Sequence, residues 1–267
     1  MHFDNIYITL IIYLALGIGA GFLSGLLGAG GGLVMVPGLV FIFQYETMSR
    51  SVLMHVAVGT SLAAMIPVAF RSLKSHMEHH IPFFSIFKSM TPGLIAGVVA
   101  GGVLAHFVRS RELEAIFGVF VLIMAFFLLY DRKKQGEANL PGKLGMSLFG
   151  GFVGIQSGML GVAGSAFSVP FLTYRGVNMR VAVIVSIAIA ATVSILGTAT
   201  FIFTGWDVAG LPKWSTGYIY WPAWLGLAVG GVFVAPLGAK ISHLISARKL
   251  KVSFAIFLIF VSAKMLW

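Results

Sequence analysis

The chain has no cysteine and little charge. Only 10% of its 267 residues are Asp, Glu, Lys or Arg, against about a quarter in ordinary soluble domains, while 58% are hydrophobic. Without cysteine there are no disulfides, no thiolate metal sites and no thiol-relay chemistry. Long polar intervals are missing too. The longest runs from Asp131 to Lys143, too short for a separate soluble domain, and apolar stretches of about 20 residues recur from end to end. The sequence therefore predicts an all-α, multi-pass membrane protein. Its first apolar segment, about 6 to 27, lacks a basic leader and an A-x-A cleavage pattern, so it reads as a retained span and not a signal peptide.

Acidic residues are scarcer still. All eight, Asp4, Glu46, Glu78, Glu112, Glu114, Asp131, Glu137 and Asp207, fall in loops or at segment ends. Proton or sodium coupling through an intramembrane carboxylate thus has no obvious residue to run on. The eighteen basic residues give a net charge of +10. They are scattered among short loops without interleaved aromatics, which argues against nucleic acid and for topology determinants beside lipid headgroups. Catalytic motifs are absent as well: there is no H-E-x-x-H, no pair of intramembrane aspartates and no G-x-x-x-x-G-K-[ST], so metalloprotease and direct ATP chemistry lack their parts. Gly154-Ile155-Gln156-Ser157-Gly158 is close to the serine motif of rhomboid proteases but misses their G-x-S-G spacing. His76, His79 and His80 are spaced as metal ligands could be, yet loop histidines beside Glu78 read as solvated.

What the chain does have is glycine, 33 residues of it. The stretch from Gly21 to Pro37, with Gly28-Ala29-Gly30-Gly31-Gly32 at its centre, is apolar enough for a bilayer but too glycine-rich to remain one helix. A break at membrane depth leaves backbone N–H groups unpaired and survives only where it faces protein, water or a ligand. The helix that restarts after it points free N–H groups and the positive end of its dipole at that place, which favours an anion. A second copy spans Gly154 to Pro170. Ser24, Gly25, Gly28, Gly31 and Pro37 match Ser157, Gly158, Gly161, Gly164 and Pro170 at a common displacement of 133 residues, as do Gly93 and Gly97 with Gly226 and Gly230. Ala57 to Ser61 matches Ala182 to Ser186 at a displacement of 125, so the first half carries eight extra residues around Phe43 to Arg50.

The chain thus divides into a first transmembrane repeat at 1–135, a basic linker at 136–143 and a second repeat at 144–267. Helices are expected near 6–27, 31–43, 52–71, 82–107 and 113–130, then near 144–160, 164–174, 181–204, 218–243 and 250–266. That makes eight to ten spans, depending on whether the short piece after each break crosses the membrane. With four spans per half the Lys and Arg divide nine against nine; with five they divide thirteen against five. The positive-inside rule therefore favours five spans per half, inverted repeats and both termini outside.

Small hydroxyls lie on or beside the broken segments: Ser24, Thr60, Ser61, Ser157, Ser165 and Ser186. A hydroxyl with backbone N–H groups can replace an oxyanion's hydration without a buried positive charge, although Ser and Thr in spans also back-bond to their own helix. Gln156 is a further polar candidate. Arg180 could draw anions to a vestibule or simply snorkel to the interface. His55, which aligns with Arg180, reads as a titrating or anion-binding group or as a helix-packing histidine.

At these residues the chain resembles the TauE/SafE sulfite-exporter family. The resemblance runs over nearly the whole length. It rests on Gly28 to Gly32 with Pro37, Ala57 to Leu62, His76 and Pro92-Gly93 in the first half. In the second it rests on Gly161 to Pro170, Arg180-Val181-Ala182, Gly205-Trp206 and Ala235 to Ala239. It implies an inner-membrane exporter of sulfite, sulfoacetate or a related organosulfonate, with no cofactor and a small anion as partner. The family's second glycine triplet reads Ala163-Gly164-Ser165 here, and the added Cβ atoms restrict backbone approach. The resulting expectation is a transporter in which Ser24, Gly28, Gly30, Gly31, Gly32, Thr60, Ser61, Ser157, Gly161, Gly164, Ser165, Arg180 and Ser186 hold the anion between two halves that rock about it. An anion channel and a non-transporting intramembrane hydrolase or assembly protein are the alternatives.

Overall fold

Unbroken apolar runs leave the backbone no partner but itself, and the helix is the arrangement that pairs every group within one segment. In the computed structural model, residues 6–27, 31–77, 83–129, 139–162, 164–241 and 247–267 are described. They form α1 (Ile6–Leu27), α2 (Gly32–Tyr45), α3 (Leu53–Met77), α4 (Phe84–Phe107), α5 (Ser110–Leu129), α6 (Lys143–Leu160), α7 (Ser165–Tyr174) and α8 (Met179–Thr204), then β1 (Ser215–Thr216), β2 (Ile219–Tyr220), α9 (Trp221–Ile241) and α10 (Ala247–Leu266). Six of these helices are long and apolar enough to cross a membrane. The protein is an all-α, multi-pass membrane protein.

The helices meet the sequence expectation closely, with two departures: α3, expected to end near 71, runs on to Met77, and α9 starts late. A helix expected from about 218 begins only at Trp221, because Ser215–Tyr220 forms a two-stranded hairpin, Ser215 opposite Tyr220 and Thr216 opposite Ile219. Gly217 turns it at φ +56°. The hairpin is tied inward: the Tyr218 N–H donates to the Phe201 carbonyl at 3.2 Å and the Tyr220 N–H to Thr60 Oγ1 at 3.0 Å.

Helices α3 and α8 are central. Their membrane-length windows are 83% and 61% buried, against 22% for α1, and they pack on each other. Around them every major packing pair recurs with the two halves of the chain exchanged. Helix α1 lies along α9 and α6 along α4; α3 touches α9 and α8 touches α4; α2 packs on α3 and α7 on α8; α5 pairs with α10. The closest pairs touch through glycine. Gly17 faces Gly226 and Leu227 and Gly21 faces Gly231, while Gly150 faces Met90, Gly154 faces Leu94 and Gly158 faces Val98. Residue numbers rise together in both sets, so each pair runs parallel. Small residues at four-residue spacing let these backbones approach.

The short helices turn back. Gly31 lies by Ala20 and Gly38 by Leu16, and the Tyr13 ring lies 6.2 Å from that of Phe43, so α2 runs antiparallel beside α1. In the second half Phe167 lies by Phe152 and Phe171 by Phe149, at 5.4 and 3.7 Å between ring centroids, so α7 runs back beside α6.

The packing makes a sharp contrast between glycines. A Cβ on Gly97 would fall on the Gly151 carbonyl oxygen, whereas one on Gly19 would meet nothing within 4 Å. Gly97→Leu should destabilise the fold by about 3 kcal/mol or more, the upper range for overpacking, and Gly19→Leu should be near neutral. Thermal unfolding of the two purified variants in detergent checks this.

Candidate functional site

The two breaks meet. A Cβ added to Gly32, the first residue of α2, would land on the Gly161 carbonyl oxygen and 3.0 Å from the Val162 Cα. Only glycine permits that approach. Gly161 closes α6 at φ +70°, its N–H donating to the Ser157 carbonyl at 3.0 Å. Gly164 opens α7 at φ +61°, its N–H donating to the Val162 carbonyl at 2.7 Å. Two left-handed residues so close together reverse the chain between helices. They would cost roughly 1–2 kcal/mol each with an L side chain.

No side chain caps α7. The N–H groups of its first turn, from Ser165 to Phe167, have no acceptor within the helix, and they carry the positive end of the dipole. The Ser157 hydroxyl stands beside them. It is fully buried, would lie 3.3 Å from a Cβ on Gly164, and has no hydrogen-bond partner among the described residues. Both amide atoms of the adjacent Gln156 are likewise buried and unpartnered. An orphaned buried polar group costs about 1–3 kcal/mol. Of these atoms the Ser157 hydroxyl is the one placed beside the uncapped helix start. The break's walls are apolar: Val36 and Val58 flank Gly161, and Ile189 and Val153 flank Gly164.

The other hydroxyls are already engaged. Ser61 Oγ donates to the Val58 carbonyl at 2.9 Å, with the Gly161 carbonyl at 3.2 Å. Having one proton to give, it secures the second break from α3 and offers an anion no donor. Ser186 makes the same bond three residues back, to the Val183 carbonyl at 2.8 Å. Thr60 accepts from the hairpin and faces β2 instead of the breaks. Ser24 is half-buried near the end of α1, and Gly31 is buried as the N-cap of α2 with an ordinary φ of −65°. Gly28 and Gly30 lie outside the described residues, as does the side chain of Ser165. His79 and His80 also lie outside them, with the side chain of His76.

Arg180 is not at the breaks. It is exposed at the start of α8, where its N–H is capped by Asn178 Oδ1 at 2.9 Å. Nine residues separate it from Ile189, about 13 Å along a helix. His55 is a packing residue. Its Nε2 lies 2.9 Å from the Ala105 carbonyl and 3.1 Å from that of Val108, where it ties α3 to the end of α4, and its ring stacks on Tyr218 at 5.0 Å.

One contact escaped the sequence. Glu46 follows α2 at a segment end, yet the Tyr13 hydroxyl lies 2.7 and 2.8 Å from its two carboxylate oxygens, and Tyr13 is fully buried within α1. Only the folding back of α2 along α1 brings the two together, and no spacing in the sequence encodes that.

The family model described as "Sulfite exporter TauE/SafE" matches residues 13–265. A "Probable membrane transporter protein" of Haemophilus influenzae is 34% identical, over 96% of this chain and 97% of its own length. One of the same description from Methanocaldococcus jannaschii is 27% identical over 92% and 91%, and YfcA of Escherichia coli, also so described, is 26% identical over 83% and 79%. No solved structure matches. With matched ends that enclose nearly every helix, both chain breaks and the hairpin before α9, the chain belongs to the TauE/SafE family of membrane transporters.

Proposed function

We propose that the protein exports a small sulfur oxyanion, sulfite or an organosulfonate such as sulfoacetate, across the inner membrane, and that the anion binds where the two breaks meet. The observation that carries this is the uncapped start of α7 beside the unpartnered Ser157 hydroxyl. A sulfonate or sulfite head presents three oxygens to backbone N–H groups and a hydroxyl, a donor set that holds negative charge without a buried cation. Export needs no other drive, since an inside-negative potential contributes about 2.3 kcal/mol per charge per 100 mV toward exit.

The halves are read as inverted repeats. In support, α1 runs parallel to α9 and α6 parallel to α4, α2 and α7 each turn back, and the packing pairs recur under exchange. Five passes per half follow, with both termini on one face. The more basic loops then lie on the opposite face, which is the cytoplasmic one by charge bias. Because glycine contacts join α1 to α9 and α4 to α6, the bodies that rock about the anion mix the two halves: α1, α2 and α9 on one side, α4, α6 and α7 on the other. The hydrolase alternative is disfavoured by Ser157 itself, whose hydroxyl touches no base.

Two outcomes are expected. Purified protein in liposomes should give saturable flux of sulfite or sulfoacetate in preference to sulfate, driven outward by an inside-negative potential. Linear, non-saturating conductance would indicate a channel instead, and the absence of flux for every one of these anions and thiosulfate at either sign of potential would sink the reading. Ser157→Ala should weaken anion affinity about tenfold or more, as expected for losing a hydrogen bond to a charged group. It should leave the melting temperature of the empty protein unchanged or slightly higher, because the hydroxyl it removes is unpaired there.

A further inference from the structure

The eight residues that only the first half carries change what its short helix can reach. Helix α7 stops at Tyr174, the counterpart of Phe41, whereas α2 continues to Tyr45 and is closed by Glu46. That added turn sets the carboxylate against Tyr13. The wall around the pair is aromatic, with the ring of Phe43 6.2 Å and that of Tyr220 6.3 Å from Tyr13, each meeting it edge to face. The residue matching Tyr13 in the second half is Met146, so the pair has no duplicate.

Three features of this place favour a neutral carboxyl. It is half-buried. It sits at the C-terminal end of α2, where the helix dipole is negative and repels an anion. Among the described residues no Lys, Arg or His forms an ion pair with it, and the titratable groups facing it are Tyr13 from α1 and Tyr220 from β2. A phenol has one hydrogen, so Tyr13 donates to one carboxylate oxygen at a time, and that bond is strongest when the carboxyl is charged.

We propose that Glu46, paired with Tyr13, is a proton-binding site that links proton movement to the passage of the anion. The link is mechanical. Helix α2 is a rod of 14 residues, about 21 Å long, with Gly32 against the second break at one end and Glu46 at the other. A proton taken up at the carboxylate neutralises its charge and weakens the charge-assisted bond that holds the far end of α2 to α1; release restores it. The inference rests on the transport reading above. Burial also pushes the Glu46 carboxyl above the ordinary carboxylate range, and the Tyr13 hydroxyl pulls it only part of the way back.

The test uses liposomes carrying the full chain, sulfoacetate as the probe because its charge is constant across the neutral range, and a trapped pH dye. Wild-type protein should move protons with the anion, and an imposed pH gradient should drive sulfoacetate at zero potential. In Glu46→Gln the ratio of protons to anions moved should fall to background. In Tyr13→Phe, which removes the donor that stabilises the carboxylate, the pH profile should shift upward. An unchanged ratio in Glu46→Gln, or drive by a sodium gradient in place of a pH gradient, would overturn the proposal.

A second measurement does not depend on transport. The infrared carbonyl band of a protonated carboxyl should be present in purified wild-type protein above the ordinary carboxylate range and missing in Glu46→Gln. A carboxyl raised in the folded state stabilises fully below its unfolded pKa and loses that contribution as pH rises through the folded pKa. Wild-type melting temperature should therefore decline over that window while Glu46→Gln stays flat. If no anion moves in any condition the transport reading falls, and the band alone decides the proton site: its absence refutes it.

Discussion

A lipid interior offers no hydrogen bonds, so a chain that interrupts its helices there must find every lost partner within itself or in a guest. In this protein that constraint is concentrated at one place, where Gly32 lies against the Gly161 carbonyl. Each break serves as a wall for the other. The carbonyl side is closed by Ser61, which reaches from α3 to Gly161, and the N–H side of α7 is left open beside Ser157. The polarity of the site follows from that division. At the junction itself the Gly161 carbonyl faces Ser61, while the first N–H groups of α7 have no acceptor in their helix.

Much of this was legible in the residues. Helices need only length and apolarity to be seen, and their limits were found within a few residues almost throughout. The matched Ser-Gly and glycine patterns pointed to Ser157, Gly161 and Gly164 before any coordinates. Hydroxyls were harder to rank, because Ser61, Ser186 and Ser157 are chemically equal in a sequence. Their difference lies in which carbonyl stands within 3 Å of each, a property of packing. Arg180 illustrates the same limit. It aligns with His55 in the sequence, yet one residue is exposed at a helix start and the other is buried under Tyr218. The hairpin at Ser215–Tyr220 is two residues per strand, too short for alternation to register, and Glu46 looked superficial because a segment end was equated with a surface.

The sequence match between the two halves is close but unequal, and the inequality is informative. Where the halves agree, as in the three-residue back-bonds of Ser61 and Ser186, the shared part is the architecture of the breaks. Where they differ, the added turn of α2 and the hairpin before α9 gather Tyr13, Glu46, Thr60 and Tyr220 at one end of the bundle. A strictly symmetric molecule would treat its two faces alike. These additions make its two ends unlike.

The glycine seams have a further consequence for how the chain comes into being. The partner of α1 is α9, so α1 must wait in the membrane until about two hundred residues have followed it. Its exposed glycine stripe is meanwhile a groove without an occupant. Contacts so distant in sequence are slow to form because loop closure must precede any gain from packing. The two lobes cannot mature one after the other: α4 reaches its mate only with α6, α1 only with α9, and the transporter closes as a single knit body late in synthesis.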